Sequence, residues 1–247
     1  MDIWTMLWLL AAAVPIGIFG VVFGGNLFLS LPLFQIMFPD MGLGAMIGTI
    51  KPGSIVRNLA SLVPLRKHIM VRSNLLFALS LSVGSIIGAT FIAALSASKV
   101  SVIPVLILGW FVMISAPRLG QYVSHLGFMV AAFLVGMYGG IFGAGISLLI
   151  AALLRLKHAT DAELLVIRVN SLYLETILTF ASVFIFLYQG LVDWRLALVW
   201  ALGSLVGGYL GGRITERTGK MRPALQKAIF HISFGVALVV ATAKVFI

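Results

Sequence analysis

Gly17-Ile-Phe-Gly-Val-Val-Phe-Gly-Gly25 and Gly136-Met-Tyr-Gly-Gly-Ile-Phe-Gly-Ala-Gly145 are two versions of one stretch, each set inside a long apolar run. At an offset of 119 residues with no gap, Gly17, Gly20, Phe23 and Gly24 fall on Gly136, Gly139, Phe142 and Gly143, and Leu29 falls on Leu148. In water such a run is a poor core helix, because each interior glycine costs roughly 1 kcal/mol relative to alanine. In a bilayer the same pattern has a use. Unwound backbone is tolerated at membrane depth only where protein or a cavity satisfies it, and interrupted apolar segments at matching places in two halves of a chain mark a binding site.

The composition points to the bilayer. Of 247 residues, 61% are apolar and only 10% charged, which leaves length for about eight passes of ~20 residues with short connections and none for a separate soluble domain. The expected fold class is an all-α polytopic membrane protein in two inverted repeats, 1–119 and 120–247, each opening with a glycine-broken helical hairpin and adding three spans. The formal charge of +10 lies mostly in short loops beside apolar spans. There it serves topology and lipid headgroup contact, so no nucleic-acid partner is expected. Met1-Asp-Ile-Trp lacks a positive n-region, so the first apolar stretch is expected to stay in the mature protein. Without cysteine there are no disulfides, thiol catalysis or thiolate metal sites.

The run from Ile3 to Phe38 is too long for one crossing, since 36 helical residues would extend ~54 Å against a core of ~30 Å. Pro15, the glycines and Pro32 break it, giving a helix, an elbow near Phe23 to Asn26 and a returning helix. A span from about Leu43 to Val63 contains Lys51-Pro-Gly-Ser54, read as a helix-breaking insert, then Arg57-Asn58. After the Pro64–Arg72 loop come spans from Asn74 to Ala97 and from Val100 to Ala116. The second half repeats the plan: a broken run from Val123 to Leu154, a span through Arg168, Asn170 and Glu175 to Tyr188, and a turn at Gln189–Trp194. A span bearing Gly203, Gly207 and Gly211, a small-residue strip for close helix approach, precedes a last span ending near Ile247. With both elbow runs as hairpins, the basic segments Pro64–Arg72, Arg118, Arg155–His158 and Arg213–Arg222 share one side. The positive-inside rule makes that side cytoplasmic, in a multi-pass protein of the cell membrane.

Lys51, Arg57, Arg168 and Glu175 fall at membrane depth, where each costs roughly 2.5–3.5 kcal/mol without a partner or a cavity. Three cations against one acid leave room for an anionic ligand. The offset places Asn170 on Lys51, with Arg168 two residues before it, so both halves carry a cation at about the same point. Arg168, Ser171, Glu175, Thr179 and Ser182 form a polar stripe within about 60° of one line on a helix. Glu175 is the candidate proton carrier; a structural ion pair with Arg57 or Arg168 is the competing reading. Backbone N–H groups at the elbows favour an anion. The substrate-binding candidates are therefore Gly24, Gly25, Asn26, Lys51, Arg57, Asn58, Gly143, Gly145, Arg168 and Asn170. His68, His125, His158 and His231 are scattered, with no metal-ligand spacing, and nothing points to a cofactor or a nucleophile with its base.

The paired elbows, Pro32, the Gly-Leu-Val-Asp-Trp194 turn and the run Gly203-xxx-Gly207-Gly-Tyr-Leu-Gly211-Gly-Arg213 together resemble the TauE/SafE (TSUP) family of membrane transporters over nearly the whole chain. The resemblance implies a small carrier of sulfur-containing or organic anions, such as sulfite or organosulfonates, often acting in export. Family elbows commonly show three successive glycines, where this chain has Gly24-Gly25-Asn26 and Gly143-Ala144-Gly145, and Ala151 stands where a proline follows the second elbow. The expected function is secondary transport of a small anion by alternating access, with Glu175 coupling it to a proton. An anion channel and, from another class, an intramembrane enzyme are the alternatives. The glycine strip also fits a homo-oligomer contact.

Overall fold

The computed structural model describes residues 2–94, 125–157 and 164–218. Eight α-helices lie among the described residues: α1 (Ile3–Val22), α2 (Leu27–Met37), α3 (Leu43–Leu65), α4 (Leu75–Ala94), α5 (His125–Ile141), α6 (Ile146–Lys157), α7 (Leu164–Tyr188) and α8 (Trp194–Thr218). Two short 3-10 turns, Arg66–His68 and Arg72–Asn74, join α3 to α4. The expected span at Val100–Ala116, Arg118, His158, the far end of the basic loop and the last span with His231 lie outside the described residues.

The helix bounds repeat at the sequence offset. α1 ends at Val22 and α5 at Ile141, α2 begins at Leu27 and α6 at Ile146, and α4 begins at Leu75 and α8 at Trp194. Both glycine runs break where expected, and the breaks require glycine. Gly24 and Gly25 have φ of 85° and 77°, and Gly143 and Gly145 have 70° and 72°, a region other L-residues enter only at a steric cost.

α3 corrects the reading of Lys51-Pro-Gly-Ser54 as a break, because it runs unbroken from Leu43 to Leu65 with Pro52 and Pro64 inside it. Pro52 costs the helix one N–H donor, but the flanking glycines serve tertiary packing. A Cβ on Gly48 would lie 2.7 Å from the Leu191 carbonyl, and one on Gly53 would strike the Trp200 indole. Contact with Phe186 of α7 and Trp200 of α8 accompanies the continuation of α3 through the proline.

Glycine also sets the packing. Along α8, Gly203 meets Leu10 and Ala13, Gly207 meets Val14 and Gly17, and Gly211 meets Ile18 and Val21, so α8 runs parallel to α1. Its other face meets α3 in the same sense, with Gly208 on Arg57 and Gly212 on Ser61. Gly84 and Gly88 of α4 and Gly136 and Gly140 of α5 bring that pair equally close and parallel. The first helix of each half thus lies against the fourth helix of the other. α3 and α7 cross the centre antiparallel, since Lys51 reaches Ser182 while Arg57 reaches Glu175. Because α1 and α3 run the same way, the stretch 23–42 must carry the chain back, which makes the first broken run a hairpin. The C-terminal ends of α3, α6 and α8 consequently share one end of the bundle, with Arg66, Lys67, Arg72, Arg155, Arg213 and Arg217 on or beside them.

Four described stretches are long and apolar enough to cross a bilayer: Ile3–Val22, Arg72–Ala94, Leu164–Tyr188 and Trp194–Arg217. Large apolar side chains such as Leu76, Phe91, Phe184 and Leu198 face outward, while Lys51, Arg57, Asn58, Arg168 and Glu175 are buried. That is the inverse of a water-soluble bundle. A Cβ at Gly207 would lie 2.3 Å from the Val14 carbonyl, so Gly207→Val is expected to lower the melting temperature of the detergent-solubilised protein by the equivalent of about 1–3 kcal/mol or more. Gly190→Asn, at a left-handed turn (φ 66°) with open space around it, should leave the melting temperature nearly unchanged.

Candidate functional site

The two elbows touch each other. A Cβ on Gly24 would sit 2.9 Å from both Ser147 Oγ and Leu148 Cγ, and one on Gly143 would sit 3.2 Å from Leu27 Cδ1. Each elbow therefore abuts the start of the other half's short helix, α6 or α2. In the first turns of those helices the Phe28, Leu29, Ile146 and Leu148 N–H groups bond back to the Gly25, Asn26, Gly143 and Gly145 carbonyls, and both helix starts present the positive end of the dipole. Asn26, at the start of α2, donates from Nδ2 to Ser54 Oγ on α3 (3.2 Å). The second elbow has its own brace, the Tyr138 hydroxyl donating to the Ala144 carbonyl at 2.6 Å. Phe19 occupies the equivalent place in the first half and has no hydroxyl to give.

Charge gathers around this contact. Arg57 donates from Nη2 to Glu175 Oε1 at 2.8 Å, and through Nε and Nη2 to Asn58 Oδ1 at 3.0 and 2.7 Å. Its Nη1 lies against the first elbow, where a Cβ on Gly20 would be 2.6 Å from it and 2.7 Å from Asn26 Cβ. Arg168 turns its guanidinium onto the last turn of α1, donating to the Gly20 carbonyl at 2.9 Å and to the Val21 carbonyl through Nε at 3.0 Å. Lys51 donates to the Gly139 carbonyl in the last turn of α5 and to Ser182 Oγ, both at 2.9 Å, and stands 5.4 Å from the centre of the Phe186 ring. Among the described residues, three buried cations thus face one buried carboxylate. Arg57 Nη1, Asn58 Nδ2, Arg168 Nη1 and Glu175 Oε2 are buried with no hydrogen-bond partner in the protein.

The family model for the sulfite exporter TauE/SafE matches residues 9–245. The chain belongs to that family. Membership in TauE/SafE, together with the apolar helices, makes this a membrane protein and implies transport of sulfite or a similar anion. No curated protein matches the chain, and no solved structure matches it.

Of the residues expected at the site of this TauE/SafE protein, Gly24, Gly25, Asn26, Arg57, Asn58, Gly143, Gly145, Arg168 and Lys51 converge on the two elbows or on the helix ends beside them. Asn170 does not. Its Oδ1 accepts from Met70 N at 2.8 Å and Asn74 Nδ2 at 3.0 Å, and its Nδ2 donates to the His68 and Val166 carbonyls at 3.0 and 2.7 Å. The amide pins the loop between α3 and α4. Ser54, Ser147 and Tyr138 join the site unannounced by the sequence, since a lone serine or tyrosine in an apolar run carries no periodic signal. The carbonyls of Gly20 and Gly139 were open to inference, because any helix interrupted in mid-membrane leaves acceptors there. Among the described residues no group of three His, Asp or Glu could hold a metal. Asn170→Ala would strand the Met70 N–H, at about 1–3 kcal/mol for a buried group. The variant is expected to melt earlier and to be cut faster by protease in the 66–74 loop.

Proposed function

We propose that this chain is a secondary transporter that carries a small sulfur-containing or organic anion across the cytoplasmic membrane by alternating access, in the export direction, with the anion held where the two elbows meet. The observation that carries this reading is the contact of two positive-φ glycine elbows beside a buried excess of positive charge with unpartnered donors. Gly25, Asn26 and Gly145 offer the anion backbone N–H groups, Gly24 and Gly143 turn the chain around it with their own N–H groups bonded to the Gly20 and Tyr138 carbonyls, and Arg57 Nη1, Asn58 Nδ2 and Arg168 Nη1 donate to it. A multi-oxygen anion suits such a convergent set, because charge-assisted hydrogen bonds are roughly twice as strong as neutral ones. Lys51 contributes field from one helix end away. Asn170 has no part in the cradle, its amide being committed to the loop.

Glu175 balances Arg57 through Oε1 and leaves Oε2 open. It is the proposed coupling group, taking a proton when the anion draws Arg57 away and releasing it on return. Two inverted repeats, 1–119 and 120–247, suit this cycle. The repeating helix bounds and the antiparallel crossing of α3 and α7 support them. The basic end of the bundle faces the cytoplasm by the positive-inside rule.

The test is uptake by proteoliposomes of sulfite, thiosulfate, sulfoacetate, taurine, acetate and chloride. The parent should move one of these saturably and against its gradient. Arg57→Gln combined with Glu175→Gln removes the ion pair without stranding either charge. That double variant should raise KM by about tenfold or more through loss of a charge-assisted bond. An unchanged KM in the folded double variant places the anion elsewhere, and flux linear in concentration without accumulation makes the protein a channel.

A further inference from the structure

Two hydrogen bonds described above are the same bond made twice. Gly20 and Gly139 correspond at the offset of 119, and each sits in the last turn of a helix that stops at an elbow. Arg168, on the third helix of the second half, closes the first half's broken end by donating to Gly20 and Val21. Lys51, on the third helix of the first half, closes the second half's broken end by donating to Gly139. Each half therefore holds the other's elbow, with a cation at the negative end of a half-helix dipole. The two closures differ in strength of grip. Arg168 takes two carbonyls with a planar fork, whereas Lys51 takes one carbonyl and anchors its ammonium on Ser182 and the face of Phe186.

From this reciprocity we infer that Lys51 and Arg168 are paired latches that keep the elbow of the opposite half in register, Lys51 as a positioning residue and Arg168 beside its own donation to the anion. Each alternating-access step opens one latch while the other stays shut. Lys51 acts through its hydrogen bond to the Gly139 carbonyl and does not touch the anion. The single-carbonyl latch at Lys51 is the looser of the two, so the second elbow is the one that opens more readily. The cyclic alternation rests on the transport reading above; the latch contacts themselves do not.

The chain has no cysteine, so single thiols report on each elbow without background. Ser147→Cys marks the first turn after the second elbow, and Ser30→Cys marks the helix after the first; both positions are fully or almost fully buried. In membranes, Lys51→Met should raise maleimide labelling severalfold at position 147 and leave position 30 unchanged. Arg168→Met should do the reverse. Lys51→Gln keeps a donor but no charge and should label like the parent. Equal effects at both positions, no effect at either, or Lys51→Gln labelling like Lys51→Met would overturn the latches, whether or not any anion is transported. In proteoliposomes, Lys51→Met should cut the maximal rate about tenfold with KM held within about twofold, the pattern of lost positioning. A raised KM with an unchanged maximal rate would make Lys51 an anion ligand instead.

Discussion

A helix that stops in the middle of a membrane leaves its last carbonyls with no water to donate to them, and everything at the centre of this bundle answers that constraint. Arg168 meets the end of α1 and Lys51 the end of α5. Each bond works in two directions. It satisfies the Val21 and Gly139 carbonyls, which would otherwise cost about 1–3 kcal/mol apiece, and it gives a buried cation the negative end of a helix dipole in place of water. Elbow and charge are thus mutually dependent.

The glycines serve that arrangement at two scales. At the elbows, positive φ at Gly24, Gly25, Gly143 and Gly145 turns the chain within four residues. Along α4, α5 and α8, glycine lets backbones approach until a Cβ on either side would clash, as at Gly88 against the Met137 carbonyl. Close approach of this kind supplies the packing that the hydrophobic effect cannot supply between helices in lipid. It also leaves room for long side chains at the centre, where Arg57 lies flat against Gly20.

Much of this was legible in the sequence because it is periodic or duplicated. The offset located both elbows to within a residue, and the polar stripe from Arg168 to Ser182 came out buried along its length. Lys51-Pro-Gly-Ser54 was misleading for a physical reason. Proline and glycine at Pro52 and Gly53 look like a break, but the tertiary contacts with α7 and α8 that override their weak local preference come from residues more than 130 positions away. Asn170 misled through the duplication itself. Its place opposite Lys51 suggested a shared role, while its partners, His68, Met70 and Asn74, lie in a loop about 100 residues earlier and show no pattern that sequence could expose.

The exchange of first helices between halves sets an order of assembly. α1 leaves the ribosome before the other described helices, yet the face bearing Leu10, Val14 and Gly17 is made to fit α8, about 190 residues later. Until α8 is synthesised, α1 waits in lipid without the neighbour its small-residue face fits, stable as a helix because its backbone is internally bonded and held only at its end once α7 brings Arg168 to it. α1 is thus made before α8 and locked only with it, and contacts of such long sequence separation make for slow folding. Truncation anywhere before α8 would therefore leave α1 and α3 without the helix that both pack against.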